Sequence, residues 1–429
     1  MSNKIDKPKQ TAPQLITKMK SKGITFKYIT EEKAAEYLTD KNNYLRTAAY
    51  RKNYQKYNNG LNIGKYIDLD FSYLQELSTI DMHFRFLVSK MCLDIEHDLK
   101  VRMLKDIETD STTDGYDIVN IFLSHNSYII GKLEATSASP FTSDLIHKYF
   151  TVQQVYNPQK GKKENKITLY DDCPAWVLLE MLTFGDFIKF YQFYYSTRSY
   201  SKISFPVINL VKSLRNGAAH NNCILADLAH GTSRPPAEIS QAIAKIASIN
   251  TTQRQKKLSC RPMLEFIALL YTYNLIVSDK VKHHRTLELE DLFFNRMLQK
   301  GGFFLKNELI KSNYEFACKV IDDHDSISTI LSSDNFLNLD TNIQNRIIDT
   351  VHTDKEKDGG TMGKFLGTNS SNAAMHIALI ICGLLLLIII IDMFHSYYIN
   401  SNINMELINL IIPVVTLSLG YIFGKGSQT

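Results

Sequence analysis

Residues 377–391 read IALIICGLLLLIIII, an unbroken apolar run. With Ala373, Ala374, Met375, Met393 and Phe394 beside it, the stretch reaches the roughly 20 residues needed to cross a bilayer. A second run, LINLIIPVVTLSLGYIF at 407–423, follows a short connector. A soluble helix usually keeps one polar face, and neither run has one. The pattern predicts a transmembrane hairpin over 373–424, with spans near 373–394 and 405–424; two buried soluble helices are the alternative. Pro413 is tolerable in a membrane helix, where neighbours satisfy the freed carbonyl. The connector HSYYINSNIN at 395–404 lacks Lys and Arg, whereas Lys355, Lys357 and Lys364 precede the first span and Lys425 follows the second. The positive-inside rule then puts both termini in the cytoplasm. Residues 353–372, rich in Gly, Ser, Asn and Thr, read as a flexible linker.

The rest of the chain has to be judged as a folded body. A hydrophobic share of 44% and a charged share of 22% suit a globular protein rather than a disordered one. The formal net charge of +5 does not by itself argue for a polyanionic partner. Two local lysine clusters, Lys4 to Lys22 and Lys160, Lys162, Lys163 and Lys166, suit nucleic acid, anionic lipid or plain solvation. The 6 cysteines are scattered with no CxxC pair, which speaks against a zinc ribbon or a disulfide scaffold and for a reduced, cytosolic body. The polar, lysine-rich N-terminus predicts no signal peptide.

Helical periodicity dominates that body. Over 71–108, Leu74, Leu77, Ile80, Phe84, Leu87, Val88, Met91, Ile95, Leu99 and Met103 fall at helical spacing, predicting one or two long amphipathic helices. Residues 175–198 predict another, with Trp176, Leu179, Leu182, Phe187 and Phe190 on its apolar side, and 203–230 and 263–277 continue the pattern. Strand alternation is scarce. Residues 110–170 are mixed, with a polar loop expected near 157–166.

Residues 214–225 read LRNGAAHNNCIL and hold an R-N-x-x-x-H cluster, Arg215, Asn216 and His220. These three side chains are a kit for cutting RNA. An imidazole titrates near neutrality and can move the proton of a 2′-hydroxyl or a leaving oxygen. A guanidinium binds the negative charge that gathers on the phosphorus centre. An amide can orient a ribose or phosphate oxygen. Neither metal nor cofactor is required. Asn216 and His220 are four apart and share a helix face, whereas Arg215 and His220 diverge by about 140° on a regular helix. Both serve one phosphate if the helix distorts at Gly217 or if two subunits pool their motifs. The bare pattern is weak, and a histidine in a helix is more often structural than catalytic.

Several ordered blocks resemble the Abi-like abortive-infection family of the AbiD/AbiF type. YLRTAAY at 44–50 is similar to its tyrosine-arginine-tyrosine signature. TIDMHFRFLVSKMCLDIEHDLKVR at 79–102 is similar to its D-x-x-x-R then I-E helix, through Asp81, Arg85, Ile95 and Glu96. PAWVLLEMLTFGDFIKFY at 174–191 resembles its proline-tryptophan, glutamate and phenylalanine-glycine segment, and LRNGAAHN resembles its R-N-x-x-A-H block. The resemblance spans roughly 12–290 by eye. Asn221 stands where the family often has a second histidine, and the hairpin lies outside the matching part.

The resemblance implies an all-α, HEPN-like helical body bearing the C-terminal hairpin. It implies a metal-independent endoribonuclease whose composite site forms in a homodimer. Arg215, Asn216 and His220 would be catalytic, and Asp81, Arg85, Glu96 and Glu180 supporting. Cleavage would leave a 2′,3′-cyclic phosphate. The implied partners are an RNA substrate and, as in some relatives, a structured small RNA regulator, with the membrane as a third. The expected divisions are 1–110, an N-terminal helical part; 111–170, a variable insert; 171–300, the motif-bearing part; 301–352, a helical extension; 353–372, the linker; and 373–424, the hairpin. The setting would be a bacterial inner membrane. Two other readings stay open: a membrane-disrupting defence effector whose body only senses RNA or a phage protein, and a non-catalytic RNA-binding module. No P-loop, G-x-S-x-G or H-E-x-x-H is present to suggest another enzyme class. His283 and His284, beside Lys280, Lys282 and Arg285, read as a phosphate-facing or solvated patch.

Overall fold

The computed structural model describes residues 8–198 and 201–324. The hairpin expected over 373–424, the linker 353–372 and the greater part of the extension 301–352 lie outside the described residues. Among the described residues, no helix is long and apolar enough to cross a membrane.

Fifteen α-helices and one β-hairpin make up the described chain. In order they are α1 (Ala12–Ser21), α2 (Glu31–Glu36), α3 (Tyr44–Ala49), α4 (Phe71–Thr109), α5 (Asp117–His125), α6 (Ser127–Thr136), α7 (Ser143–Tyr149), β1 (Thr151–Asn157) and β2 (Lys162–Leu169). Then follow α8 (Ala175–Met181), α9 (Phe184–Thr197), α10 (Phe205–Ala219), α11 (Ala237–Ala244), α12 (Thr251–Leu258), α13 (Arg261–Ile276), α14 (Asp279–Glu290) and α15 (Glu308–His324).

The axis of the fold is α4, a single helix of 39 residues, about 58 Å long at 1.5 Å per residue. Asp70 starts it. One carboxylate oxygen accepts the Ser72 N–H at 2.9 Å and the other accepts the Lys27 N–H and the Thr25 hydroxyl, each at 2.7 Å, so the cap also ties down the chain entering from α1. All ten apolar positions named from the periodicity are buried. Against α4 pack α10 and α13, and α15 packs on α13. Phe84 of α4 meets Phe266 of α13 edge-on at 5.1 Å, and Phe266 stacks on Phe293 at 5.5 Å.

Three expectations need correction. The predicted helix over 175–198 is two helices: α8 stops at Leu182, whose backbone turns extended, and Thr183 restarts the chain as the N-cap of α9, accepting the Asp186 N–H. Trp176 is not on the buried side. It is 46% exposed, packed edge-on to Tyr116 and lying over Gly115, where any Cβ would sit 3.1 Å from the indole. The body is also not all-α. The polar loop expected near 157–166 is the turn and second strand of an antiparallel hairpin pairing Val152 with Ile167 and Tyr156 with Lys163. The alternation was hidden because most of the hairpin's side chains are exposed on both faces, so no apolar stripe marks a buried side.

Candidate active site

The motif lies at the C-terminal end of α10. Val207, Ile208, Leu210, Val211, Leu214 and Ala218 are buried toward the core, which turns Asn216 and His220 outward to solvent. Arg215 is half-buried on a different side of the helix. Its guanidinium lies 5.8 Å from the Phe184 ring, its Nη1 donates to Asn216 Oδ1 at 3.4 Å, and its charge reaches the buried Cys92 thiol of α4. Arg215 and His220 therefore leave the helix in different directions within one chain, as the helical angle predicts.

Gly217 is not the point of distortion. It sits within the regular helix, and a Cβ there would meet only the Ile224 side chain at an ordinary 3.9 Å. The turn comes at Asn221, whose φ is +54°. His220 is the last residue before it, and two bonds close the end: Asn221 N–H to Ala218 O at 3.0 Å and Asn222 N–H to Gly217 O at 2.9 Å. This is a Schellman ending with asparagine in the left-handed position, a residue that tolerates that conformation better than most. It gives a physical role to the position where the family often carries a second histidine.

The segment 221–228 is then bound to the body by buried polar groups. Arg46 of α3 donates to Asn221 O, and Arg85 of α4 donates to Asn222 O at 3.4 Å. Asp81, fully buried, accepts the Leu225 N–H at 3.1 Å through one oxygen; its other oxygen accepts the Tyr50 hydroxyl at 2.7 Å and pairs with Arg85. Asn53 donates to Leu225 O and accepts from Leu228 N–H, both at 2.8 Å. Burial pushes the Asp81 carboxyl above its ordinary range, and Tyr50, Arg85 and the backbone N–H groups of Leu225 and Ile224 pull it back only in part. Burial, with Asp81 beside it, also drives the Tyr50 hydroxyl well above its ordinary value.

Of the four supporting residues, Asp81 and Arg85 hold the segment that follows the motif. Glu96 pairs with Lys100 at 3.2 Å and lies by Cys92, the same thiol that feels Arg215. Glu180 is exposed on α8 and makes no hydrogen bond or ion pair with the motif. Sequence reasoning passed over Asn53, Arg46 and Asn221. Arg46 and Tyr50 stand inside the quoted block YLRTAAY, which was the available signal; nothing in the sequence marked Asn53. The basic cluster on α14 is more anchored than expected. Arg285 pairs with Asp94 of α4 at 2.8 Å and with Glu288 at 2.6 Å. Among the described residues there is no group of three or more His, Cys, Asp or Glu placed to hold a metal ion.

Comparison with known families decides the relationship. The model of the Abi-like protein family matches residues 36–226. This stretch of the chain belongs to the Abi-like family. No curated protein and no solved structure matches the chain. The Abi-like match is narrower at both ends than the 12–290 read by eye. It nevertheless contains the motif and the residues Arg46, Tyr50, Asn53, Asp81 and Arg85 that fasten the segment after it. The family points to abortive-infection defence.

Proposed function

We propose that this Abi-like chain is an anti-phage effector that cuts RNA without a metal, using Arg215, Asn216 and His220 in a HEPN-type site. The observation carrying the reading is the built ending of α10: His220 and Asn216 are presented to solvent on one face, and the backbone after them is fixed by a buried network. A merely decorative helix end needs no such bracing, whereas a reacting imidazole must be held in place to be useful. His220 would move the proton at the 2′-hydroxyl or the leaving oxygen. Arg215 would neutralise the charge gathering at phosphorus, and Asn216 would orient an oxygen. Attack of the 2′-oxygen breaks the phosphodiester, releases a 5′-hydroxyl and leaves a 2′,3′-cyclic phosphate. Because Arg215 and His220 diverge within one chain, a homodimer that pools two motifs completes the site. The apolar runs within 373–424 would anchor the enzyme in a bacterial inner membrane with both termini in the cytoplasm. A structured small RNA is the proposed restraint.

The test is induced expression of the full chain, Arg215→Ala, His220→Ala and a chain stopping at residue 370, with growth and total RNA integrity followed. Toxicity with discrete RNA fragments bearing cyclic phosphate ends, lost in both point variants, supports the reading. Whole RNA, with toxicity lost only on truncation, makes the membrane segment the effector and the motif a scaffold.

A further inference from the structure

Behind the segment 221–228 lies a cavity of about 130 Å³, lined by Leu77 and Phe84 of α4, Leu225 and Leu228 of the segment, Phe293, and Asn313 of α15. Protein interiors rarely leave a void much larger than a water molecule. An engineered apolar cavity of about 150 Å³ takes benzene, so this one has room for a body of about six to ten carbon atoms. Leu305 stands in the wall and is also exposed, so the wall reaches the surface there.

One polar atom breaks the apolar lining. Asn313 is only 3% exposed, and its amide nitrogen donates to Leu228 O at 3.1 Å and Leu309 O at 2.7 Å. Both partners are carbonyls, so the amide cannot be flipped, and Asn313 Oδ1 is a buried acceptor with no partner among the described residues. A lone acceptor serves a water poorly, since a buried water needs two to four partners. It suits one donor on an otherwise apolar molecule.

We infer that this cavity is a binding site for a small, mostly apolar molecule, one or two rings in size, whose single N–H or O–H group donates to Asn313 Oδ1. The amide that receives the ligand also holds Leu228 O, and Leu225 and Leu228 form part of the wall. Occupancy therefore stiffens the segment that follows His220. The site stands whether or not Arg215 and His220 cut RNA, because its test reads binding and not cleavage.

The experiment is calorimetric titration of the full chain in lipid nanodiscs with indole and with indene, which keeps the ring shape and lacks the N–H. The expected result is saturable binding of one indole per chain, about fivefold or more tighter than indene, the worth of one hydrogen bond. Leu298→Phe and Ala317→Leu, which fill the cavity from two walls, should each weaken indole binding at least tenfold with the melting temperature kept. A second readout needs no variant. With methyl-labelled methionine, indole should shift the signals of Met263 and Met297, which line the cavity, and leave Met19 and Met103 in place. Absence of a saturable phase in the wild type, equal binding by both filled variants, or uniform shifts across all four methyls overturns the site. Equal affinity for indole and indene overturns the assignment to Asn313.

Discussion

The segment 221–228 and the hairpin β1–β2 are both short and polar, and neither announces itself as an amphipathic element. They are held by opposite means. In the segment, backbone N–H and C=O groups are paired one by one with buried side chains from α3, α4 and the turn between them. In the hairpin, the ladder pairs backbone with backbone, and the side chains form exposed ion pairs, Lys160 with Glu164 and Lys166 with Glu134. Burial makes each polar contact in the first expensive to break, because the group left behind cannot turn to water. Solvent makes the contacts of the second nearly interchangeable. A site that must present His220 in one direction needs the first kind of support.

The largest effect that would expose this contrast is at Asp81. Asp81→Asn keeps an acceptor for the Leu225 N–H but strips the counter-charge from Arg85, whose side chain is 6% exposed. Leaving one partner of a buried ion pair unpaired costs about 3–5 kcal/mol. Urea unfolding should show that loss, and a loss smaller than the scatter between replicates would mean that Arg85 reaches water and that the network is not buried. Asn53→Ala comes next. It orphans Leu225 O and Leu228 N–H, costing about 1–3 kcal/mol by the same titration. Asn221→Ala follows at about 1–2 kcal/mol for forcing a Cβ without a local hydrogen bond into the left-handed region, and Asn221→Gly should restore most of it. If Ala and Gly behave alike at 221, the ending of α10 is not what fixes His220. Lys166→Ala in the hairpin should leave the midpoint unmoved, and a shift as large as that of Asn53→Ala would erase the contrast.

The long helix was legible because ten buried apolar residues at helical spacing have no other explanation. The motif was legible because its three residues are consecutive or one turn apart, and their divergence followed from the angle per residue. What stayed hidden has a common cause. The network around Asp81 joins residues 31 to 175 positions apart, and single-sequence periodicity carries no information at that range. Trp176 misled because a large aromatic at an apolar position can cover a glycine at the rim instead of entering the core. The break between α8 and α9 was marked only by Thr183, three residues before Asp186, a capping signal that the surrounding apolar run masked.

The finest test of the contrast is acid. In the segment, the Asp81 carboxyl lies above its ordinary value of 3.8, so between that value and its raised one the folded chain binds more protons than the unfolded chain. Its contribution to stability therefore rises as the pH falls across that window. In the hairpin, hydrogen bonds from Lys160 and Asn157 hold the exposed Glu164 carboxyl below its ordinary 4.5. Its contribution is present above 4.5 and fades as the pH falls through the lowered value. Amide protection factors measured from neutral pH downward should separate the two. The β1 and β2 amides lose protection below pH 4.5, whereas Leu225 and Leu228 keep theirs over the same range. Glu164→Gln should flatten the hairpin's response and leave the segment's untouched. Parallel loss of protection in both regions would show that they open as one unit, and that burial around Asp81 gives the segment no independence from the rest of the surface.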